Sequence, residues 1–403
     1  MALMPVSDAL AAVLAGVEPV AEEMVALDAA WHRVLARDVA AKRTQPPQAM
    51  SAMDGYAVRA ADAGQVNSVL TVIGQAAAGR PFAGTIGAGQ AVRIFTGGVI
   101  PDGADAVVIQ EDTVADGSRV TIREAARLGR HIRPAGVDFH EGEVLLRRGA
   151  RLTERDLSLA AGMNHPRLPV RRRPKVAILA TGDELVMPGS TPGPGQIVYS
   201  NGYALHALSR DEGAETIDLG IAADTVEATT SGIRRARESG ADILVTTGGA
   251  SVGDHDLVKP ALEAAGIAMA FWKIAMRPGK PMMHGSLGAM RVIGLPGNPV
   301  SSYVCGFLFL VPLIRALLGR SVIHHRREAA ILGRDVGAND VREDYLRVRL
   351  EERDDGRLVV HPVNHQDSSL LANLAAAQAL LVRAPFAPKA DAGSACEVLR
   401  LPT

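Results

Sequence analysis

An alternation of apolar runs and glycine-containing turns between residues 175 and 319 restricts the fold of this chain more than any other feature. The segments KVAILATGDEL, ADILVTTGG and RVIGLPGNP each read as a buried strand that ends in a turn, and helical stretches separate them. Such alternation is typical of a parallel sheet with crossover helices, whose ligands bind beyond the carboxyl ends of the strands. We therefore predict an α/β domain at residues 171–322.

The regions on either side of this domain have different patterns. Residues 1–40 and 136–170 have helical periodicity and are predicted to pack together as one discontinuous helical domain. Residues 41–135 contain short β-runs and an Asp-Gly hairpin turn, which predicts a small β domain. Residues 323–403 alternate with period two around a second Asp-Gly turn, which predicts another small β domain.

Composition limits the classes of function. The chain has 403 residues, 47% of them hydrophobic, and a formal net charge of −1, so nothing marks it for nucleic acid or an anionic membrane. Its two cysteines, Cys305 and Cys396, form no CxxC motif, which argues against a disulfide scaffold or a thiolate zinc site and favours the reducing cytoplasm. The apolar run at 303–314 is too short to span a bilayer and is predicted to be a buried helix.

The N-terminal segment briefly resembles a signal peptide. It has no basic region, however, and Asp8 interrupts its apolar run. Its apolar residues recur with helical spacing behind Ser7-Asp8, so we predict an amphipathic helix that these two residues cap.

Three glycine-containing loops are predicted to meet at one edge of the α/β sheet. They are TGDEL (181–185), TTGGASVGDHD (246–256) and GLPGNPVSS (294–302). Glycine lets backbone N–H groups approach an anion, and the helix after PGNP offers its N-terminal donors. One such loop is weak evidence, because glycine turns serve chain reversal more often, but three at one edge favour a ligand with phosphate groups. The chain has neither a P-loop nor a GxGxxG fingerprint.

Charged residues accompany these loops. The aspartates of the middle loop would repel a phosphate, so they either cap the next helix or hold a cation against an anionic ligand. The segment FWKIAMRPGKP (271–281) places Lys273, Arg277 and Lys280 around a Pro-Gly turn. These cations either form an oxyanion cradle or lie at the surface with their aliphatic stems on apolar residues.

Together with SAMDGYA (51–57), IFTGGVIPDGADAVV (94–108), RPAGVDF (133–139) and ATGDELV (180–186), the two later loops and the basic segment form an ordered set of motifs. With this set the sequence resembles the MoeA molybdopterin molybdenumtransferases, a family that includes the gephyrin E domain, over nearly the whole chain. The resemblance implies a homodimer with an elongated helical domain, a small β domain, a molybdopterin-binding three-layer α/β domain and a C-terminal domain like a β-barrel.

The resemblance also implies a reaction. Adenylylated molybdopterin and molybdate are the substrates, molybdenum is inserted at the dithiolene, and AMP is released with the help of Mg²⁺. The implied protein partners are a molybdopterin adenylyltransferase and proteins of molybdoenzyme maturation, in the cytoplasm. No nucleic acid or membrane partner is expected.

Site residues are implied position by position. The implied catalytic residues are Asp54, Thr96, Asp138, Glu184, Asp224, Asp256, Lys273, Arg277 and Lys280. The implied cofactor-binding residues are Thr181, Gly182, Gly248, Gly249, Ser251, Gly253, Pro296, Gly297, Asn298, Ser301, Arg342 and Ser368. Mg²⁺ is expected at Glu184, Asp224 and Asp256, because it prefers a few carboxylates with phosphate and water oxygens.

Alternatives stay open for some of these residues. Asp256 could cap a helix, and Asp54, Thr96 and Asp138 could serve local turn bonding. Otherwise Asp54 and Thr96 are expected to complete the α/β pocket of the other subunit. The chain also departs from the family at Arg277, where lysine is common, and in the C-terminal run at 373–381.

Three other functions are compatible with some of the same residues. The α/β fold also occurs in molybdopterin adenylyltransferases and in pyrophosphatase-like proteins that act on nucleotides, but those resemblances would cover only residues 175–319. A non-catalytic dimeric scaffold, as in the gephyrin E domain, is a third alternative, which no linker or fused domain in the sequence supports.

Overall fold

The computed structural model describes residues 3–248 and 258–402. Its helices are α1 Val6–Leu14, α2 Glu154–Gly162, α3 Asn201–Asp211, α4 Val226–Glu238, α5 Val258–Ala264, α6 Pro299–Cys305, α7 Val311–Leu317 and α8 Leu371–Ala375. A π-helical turn, Gly306–Leu310, joins α6 to α7. Short 3₁₀ turns lie at Leu27–Ala29 and Gln110–Asp112.

The N-terminal region contains twelve of the described strands. They are β1 Glu22–Ala26, β2 Val39–Ala40, β3 Met50–Ser51, β4 Gly55–Val58, β5 Val69–Ala76, β6 Gln90–Ile94, β7 Ala106–Ile109, β8 Thr113–Asp116, β9 Arg119–Ile122, β10 Ile132–Arg133, β11 Val144–Leu146 and β12 Arg167–Arg171. Six of them form a sheet in the order β7-β4-β6-β5-β9-β8. The predicted hairpin at Asp116-Gly117 is confirmed, because β8 pairs antiparallel with β9 across it.

Residues 22–40 and 136–171 share a core, which includes Leu35, Leu152 and Leu168. Their ordered structure is mixed: β1 pairs with β12 and β2 with β11, and α2 is the α-helix described there. The prediction that residues 1–40 are helical is therefore correct only for α1. Pairing with a distant strand outweighs the weak helical preference of these alanine-containing segments.

Helix α1 is amphipathic, as predicted, but its start differs from the prediction. Pro5 is the N-cap and no side chain caps the helix, while Ser7 and Asp8 lie within its first turn. Its buried residues Val6 and Val13 pack in one cluster with the α/β sheet. The helix therefore contacts the α/β core, and the domain boundaries stay predictions.

The α/β region has the predicted alternation. Its strands are β13 Lys175–Thr181, β14 Leu185–Val186, β15 Ile197–Val198, β16 Glu215–Ala222, β17 Ile243–Thr247, β18 Ala268–Lys273, β19 Met276–Arg277, β20 Pro281–Leu287 and β21 Met290–Leu295. The main sheet has the order β16-β13-β17-β21-β20-β18, and its first three pairings are parallel. The remaining two, at one edge, are antiparallel.

Alternate residues of the parallel strands face opposite helical layers. Ile178 and Val245 pack in a cluster with α3, α6 and α7, whereas Leu179 and Leu244 pack in another with α4 and α5. This period of two on a strand buried on both faces produces a three-layer α/β fold, which confirms the predicted fold class.

The helix that runs from Pro299 to Leu317 contains the apolar run noted above. By length and composition it could cross a membrane, but 83% of its most apolar window is buried inside the protein. The prediction of a buried helix is confirmed, and the helix is weak evidence for a membrane span.

The C-terminal strands are β22 Arg327–Leu332, β23 Glu343–Glu352, β24 Leu358–Pro362, β25 Ala379–Arg383 and β26 Ala395–Arg400. With β19 they form a sheet in the order β19-β23-β24-β22-β26-β25, and β25 also pairs with β23. That pairing curves the sheet back on itself like a barrel. The second predicted hairpin, at Asp355-Gly356, is confirmed between β23 and β24. Because β19 belongs to the α/β region, its pairing with β23 joins the two regions.

Candidate active site at the edge of the sheet

Three strands end at one edge of the α/β sheet, and the loops that follow them meet there. The N–H of Gly248, after β17, donates to the carbonyl of Leu295 at 3.3 Å. Gly248 has φ of 91°, and a Cβ on it would overlap with the carbonyl oxygen of Thr181, at the end of β13. A Cβ on Gly297 would lie 3.7 Å from the Cα of Gly248. The three loops thus contact one another through their backbones. We refer to residues 181–185, 246–248 and 294–302 as the sheet-edge loops.

The first of these loops carries one predicted metal ligand, Glu184, and a second, Asp224, is bonded to it. A Cβ on Gly182 would lie 2.5 Å from Oε2 of Glu184, so the carboxylate folds back over the loop backbone. Asp183 donates its N–H to Oδ2 of Asp224 at 3.3 Å, and Asp224 donates its own to Oδ1 of Asp183 at 3.0 Å. These reciprocal bonds fix Asp224, before α4, beside the loop that contains Glu184.

The carboxylates of Glu184 and Asp224 are the described side chains of the expected Mg²⁺ site. Within the described part of the chain no three His, Cys, Asp or Glu side chains form a group that could hold a metal. The two carboxylates beside residues 182–184 still fit a Mg²⁺ ion that takes its other ligands from phosphate and water. Asp256, Gly249, Ser251 and Gly253 lie outside the described residues.

The third loop leads into α6, and a residue from the C-terminal region contacts its start. Asn298 donates its side-chain amide to Oγ of Ser368 at 2.9 Å. The N–H of Val300 donates to the carbonyl of Ser368 at 3.0 Å. Asn201, at the start of α3, donates to the carbonyl of Gly297 at 2.7 Å. The structure therefore brings Asn298 and Ser368 together at the beginning of a 19-residue helical segment.

The basic segment packs against the same helix. Ser301 is 5% exposed and lies four residues before Cys305, so the two share a helix face. A Cβ on Gly279 would overlap with Sγ of Cys305, which shows how closely the Pro-Gly turn approaches that face. Burial raises the pKa of the Cys305 thiol, so this residue is neutral at pH 7 and contributes packing, not a nucleophile.

Arg277 is paired with carboxylates, which the sequence did not predict. Its Nε donates to Oδ1 of Asp344 at 2.8 Å, and its Nη2 donates to Oδ2 of the same residue and to Oδ1 of Asn339 at 3.2 Å. Hydrogen bonding to Asp344 raises the pKa of Arg277. Lys273 ends β18, and the exposed Lys280 accepts at its carbonyl from Ile274 at 3.0 Å.

Arg342 is paired in a similar way. Its Nη2 donates to Oδ2 of Asp340 at 2.7 Å, and its Nε and backbone N–H donate to Oδ1 at 3.3 and 2.9 Å. These bonds from Arg342 lower the pKa of Asp340 to about 2. Oδ2 of Asp340 also lies 3.6 Å from Nη1 of Arg277. We refer to Arg277, Asp340, Arg342 and Asp344 as the arginine cluster.

Strand β23 connects this cluster to Ser368. Asp344 is in β23, and so is Arg347, whose Nη2 donates to the carbonyl of Asp367 at 3.1 Å. Gln366 accepts from the N–H of Arg347 at 3.0 Å and donates to its carbonyl at 3.0 Å. One strand therefore positions both the guanidinium of Arg277 and the loop that places Ser368 on α6.

The predicted residues of the N-terminal region lie elsewhere. Oδ1 of Asp54 accepts from the N–H of Thr96 at 2.7 Å and from its hydroxyl at 2.8 Å. These bonds lower the pKa of Asp54. Asp138 is exposed and lines a cleft of about 350 Å³ with Gln45 and Arg155. Among the described residues, Asp54 and Thr96 bond to each other and not to the sheet-edge loops.

Several residues with positional roles were missed in the sequence. Asn201 holds Gly297, while Asn339, Asp340 and Asp344 hold the two arginines. The run DVRED places acidic residues two positions before and after Arg342, which is a signal for pairing of this arginine. No comparable signal exists for Asn201.

Family profiles match most of the chain. Residues 4–163 match the MoeA N-terminal region (domain I and II), residues 177–316 match a probable molybdopterin binding domain, and residues 329–401 match the MoeA C-terminal region (domain IV).

Individual relatives agree with these profiles. The molybdopterin molybdenumtransferase of Haemophilus influenzae is 40% identical over 303 residues, which cover 75% of this chain and 74% of the relative. That of Bacillus subtilis is 36% identical over 368 residues, which cover 89% and 85%. Two solved structures of the molybdopterin biosynthesis MoeA protein from Pyrococcus horikoshii each align with a TM-score of 0.86. One is 30% identical to this chain and the alignment covers 100% of both chains. The other is 27% identical, and the alignment covers 99% of this chain and 100% of the solved one.

Proposed function

Because the chain belongs to the MoeA family of molybdopterin molybdenumtransferases, we propose that it inserts molybdenum from molybdate into adenylylated molybdopterin and releases AMP. It is an enzyme of molybdenum cofactor biosynthesis. The observation that carries the proposal is the arrangement around α6: the sheet-edge loops and Ser368 meet at its start, and the turn of the basic segment packs against Cys305 at its end. The two parts match the two substrates, a pyrophosphate-bearing pterin and a tetrahedral dianion.

The sheet-edge loops suit the pyrophosphate. Thr181, Gly182, Gly248, Pro296 and Gly297 place backbone at the ends of parallel strands, where a ligand of an α/β sheet binds. Glycine at 248 and 297 lets the loops pack closely against one another, which gathers their backbone groups at the ends of the strands. The beginning of α6 adds the favourable end of a helix dipole.

The residues around the basic segment suit molybdate. Arg277, Lys280 and Arg342 supply positive charge, and Ser301 and Ser368 supply hydroxyl donors near the beginning of α6. Charge-assisted hydrogen bonds are the strong contacts for a tetrahedral oxyanion. Arginine at position 277 keeps its orientation through Asp344, which a lysine would do less rigidly because it lacks the planar fork.

We also propose Mg²⁺ as the metal, held by Glu184 and Asp224 together with Asp256. When bound, it would neutralise charge on the phosphate anhydride as AMP leaves. The carboxylates would supply oxygen ligands to this cation beside the phosphate groups. If so, Asp256→Asn should lower the rate of AMP release far more than the affinity for the pterin nucleotide, because charge develops after binding. An unchanged rate in purified Asp256→Asn protein would show that this residue is not a ligand.

We propose that the enzyme is a cytoplasmic homodimer with shared sites. Asp54 precedes β4 and Thr96 follows β6 in loops of the N-terminal region, where Asp54 is half-buried and Thr96 is exposed, so the pair can be reached by a second chain. In a two-fold dimer every contact is repeated, and the pair could complete the pocket of the partner. Mixing Asp54→Ala chains with Asp256→Ala chains should then restore activity, since one of the two sites would be intact. Mixed dimers that co-purify and stay inactive would argue against sharing.

The direct test of the activity is a defined reaction. Purified protein is incubated with adenylylated molybdopterin, molybdate and Mg²⁺, AMP is quantified, and the product is used to reconstitute an apo-molybdoenzyme. We expect AMP release that depends on molybdate, together with reconstitution. The alternatives give different results: an adenylyltransferase would consume ATP and free molybdopterin, a pyrophosphatase-like enzyme would release AMP without molybdate, and a scaffold would release none.

A further inference from the structure

The two arginines of the proposed molybdate site already bind carboxylates of their own chain. Arg277 presents Nε and Nη2 to Asp344, and Arg342 presents Nε and Nη2 to Asp340. A guanidinium binds an oxyanion best through two parallel N–H groups. In both arginines this edge is occupied, so an external dianion must either use the remaining N–H groups or replace a carboxylate.

The two carboxylates differ in their exposure. The Asp344 side chain is 6% exposed, whereas the Asp340 side chain is 44% exposed. A buried carboxylate that loses its guanidinium partner has no water to replace it, which is costly. An exposed carboxylate exchanges its partner for water at little cost. Asp344 therefore holds Arg277 permanently, and Asp340 can be displaced.

Asp340 also has a central position in the arginine cluster. Its Oδ2 lies 2.7 Å from Nη2 of Arg342 and 3.6 Å from Nη1 of Arg277. A negative group between two guanidinium groups occupies the position that an oxyanion bound by both arginines would take. The Arg342 contacts keep the pKa of Asp340 low, so this group is charged at neutral pH.

We infer that Asp340 is an internal competitor of the oxyanion, whose carboxylate occupies the face between Arg277 and Arg342 and moves aside when a tetrahedral dianion binds. The inference rests on the proposed function for the assignment of these two arginines to molybdate. Its consequence is selectivity by charge. A dianion replaces one negative charge with two and gains from the exchange, whereas a monoanion such as chloride gains nothing.

The test is direct binding of sodium molybdate, measured by titration calorimetry at neutral pH on the full chain. Asp340→Asn removes the charge and keeps the size of the side chain. We expect its molybdate Kd to fall by about twofold to fivefold, the range expected for an exposed ion pair. We also expect chloride to compete more strongly with molybdate in the variant than in the wild type. Asp340→Ser should change both quantities in the same direction.

The chain offers a matched control in Asp355. Its Oδ1 accepts from the N–H of Arg357 at 3.0 Å and its Oδ2 accepts from Nε of Arg357 at 2.6 Å, so an aspartate again binds the backbone and the guanidinium of an arginine two positions later. It lies at the β23–β24 turn, in no contact with Arg277. Asp355→Asn should leave the molybdate Kd unchanged.

The outcomes separate the inference from the proposed function. If Arg342→Ala weakens molybdate binding but Asp340→Asn leaves it unchanged, the competitor role is wrong and the proposed site stands. If Asp340→Asn weakens binding, Asp340 orients Arg342 for molybdate and the inference is overturned. If Arg342→Ala has no effect on molybdate, the proposed site itself is wrong.

Discussion

The sheet-edge loops meet at the start of α6 and the segment that carries Arg277 packs against its end, yet the loops and the arginine cluster are built in different ways. The loops are shaped by backbone: each follows a strand of one sheet, and glycine is required where they touch. The cluster is shaped by side chains from two regions that β19 and β23 join. A site built from backbone depends on sterics, and one built from ion pairs depends on charge balance. Substitutions in the two parts should therefore have different signatures.

The largest effect is expected in the loops. Gly248→Ala places a Cβ against the carbonyl oxygen of Thr181, at a residue with φ of 91°. The steric overlap and the strained backbone conformation both destabilise the fold. We expect a loss of about 2–4 kcal/mol in the free energy of unfolding, which lowers the thermal midpoint of a chain of this length by about 2–5 °C. Gly240→Ala is the control, because Gly240 has φ of 70° but nothing within 4 Å of its added Cβ. The free energy of unfolding of Gly240→Ala should fall by only about 1 kcal/mol. Equal midpoints for the two variants would mean that the loops do not touch as described.

A smaller effect is expected from the buried carboxylate of the cluster. Asp344→Asn removes the charge that orients Arg277, and should raise the molybdate Kd about fivefold, since Arg277 is half-exposed and solvent weakens the pair. Asp340→Asn should change this Kd in the opposite direction. Titration calorimetry with molybdate measures the Kd of both variants. A fall in Kd for Asp344→Asn would contradict the distinction between a holding and a competing carboxylate.

The smallest effect is expected at Asp54 and Thr96, which belong neither to the sheet-edge loops nor to the arginine cluster. The bonds from Thr96 favour the charged form of Asp54 and hold its pKa below the ordinary 3.8. This stabilisation is present above about pH 4 and is lost as the pH falls through the folded pKa. Thr96→Val removes the hydroxyl donor, so the pKa of Asp54 should rise towards 3.8 without passing it. An NMR titration of the carboxyl group measures this, with the exposed Thr71→Val as the control. An unchanged pKa would mean that the hydroxyl does not bind Asp54.

The features that the sequence predicted are local. The strands that precede the three loops, the two Asp-Gly hairpins and the buried helix each depend on residues close together in the chain, where periodicity and turn chemistry act. Their meeting at one sheet edge followed from the parallel topology.

The features that were missed are distant in sequence. Strands β1 and β12 pair across more than a hundred residues, and Arg277 binds Asp344 at a separation of 67 positions. Neither contact leaves a periodic trace, because a partner strand or a counter-charge is recognised only after the fold has brought it near. The basic segment therefore read as either a cradle or a solvated turn, while the structure shows one of its cations paired in a network.

The central claim is that the two parts bind different substrates. The most direct test measures the Kd of the Lys280→Ala protein for molybdate and, separately, for adenylylated molybdopterin. Lys280 is exposed, so its removal leaves the core intact. We expect the molybdate Kd to rise by about tenfold, as for loss of a charge-assisted contact, while the Kd for the pterin nucleotide stays within about twofold of wild type. An equal rise in both would show that this cation binds the pyrophosphate and that the two parts form one undivided anion site.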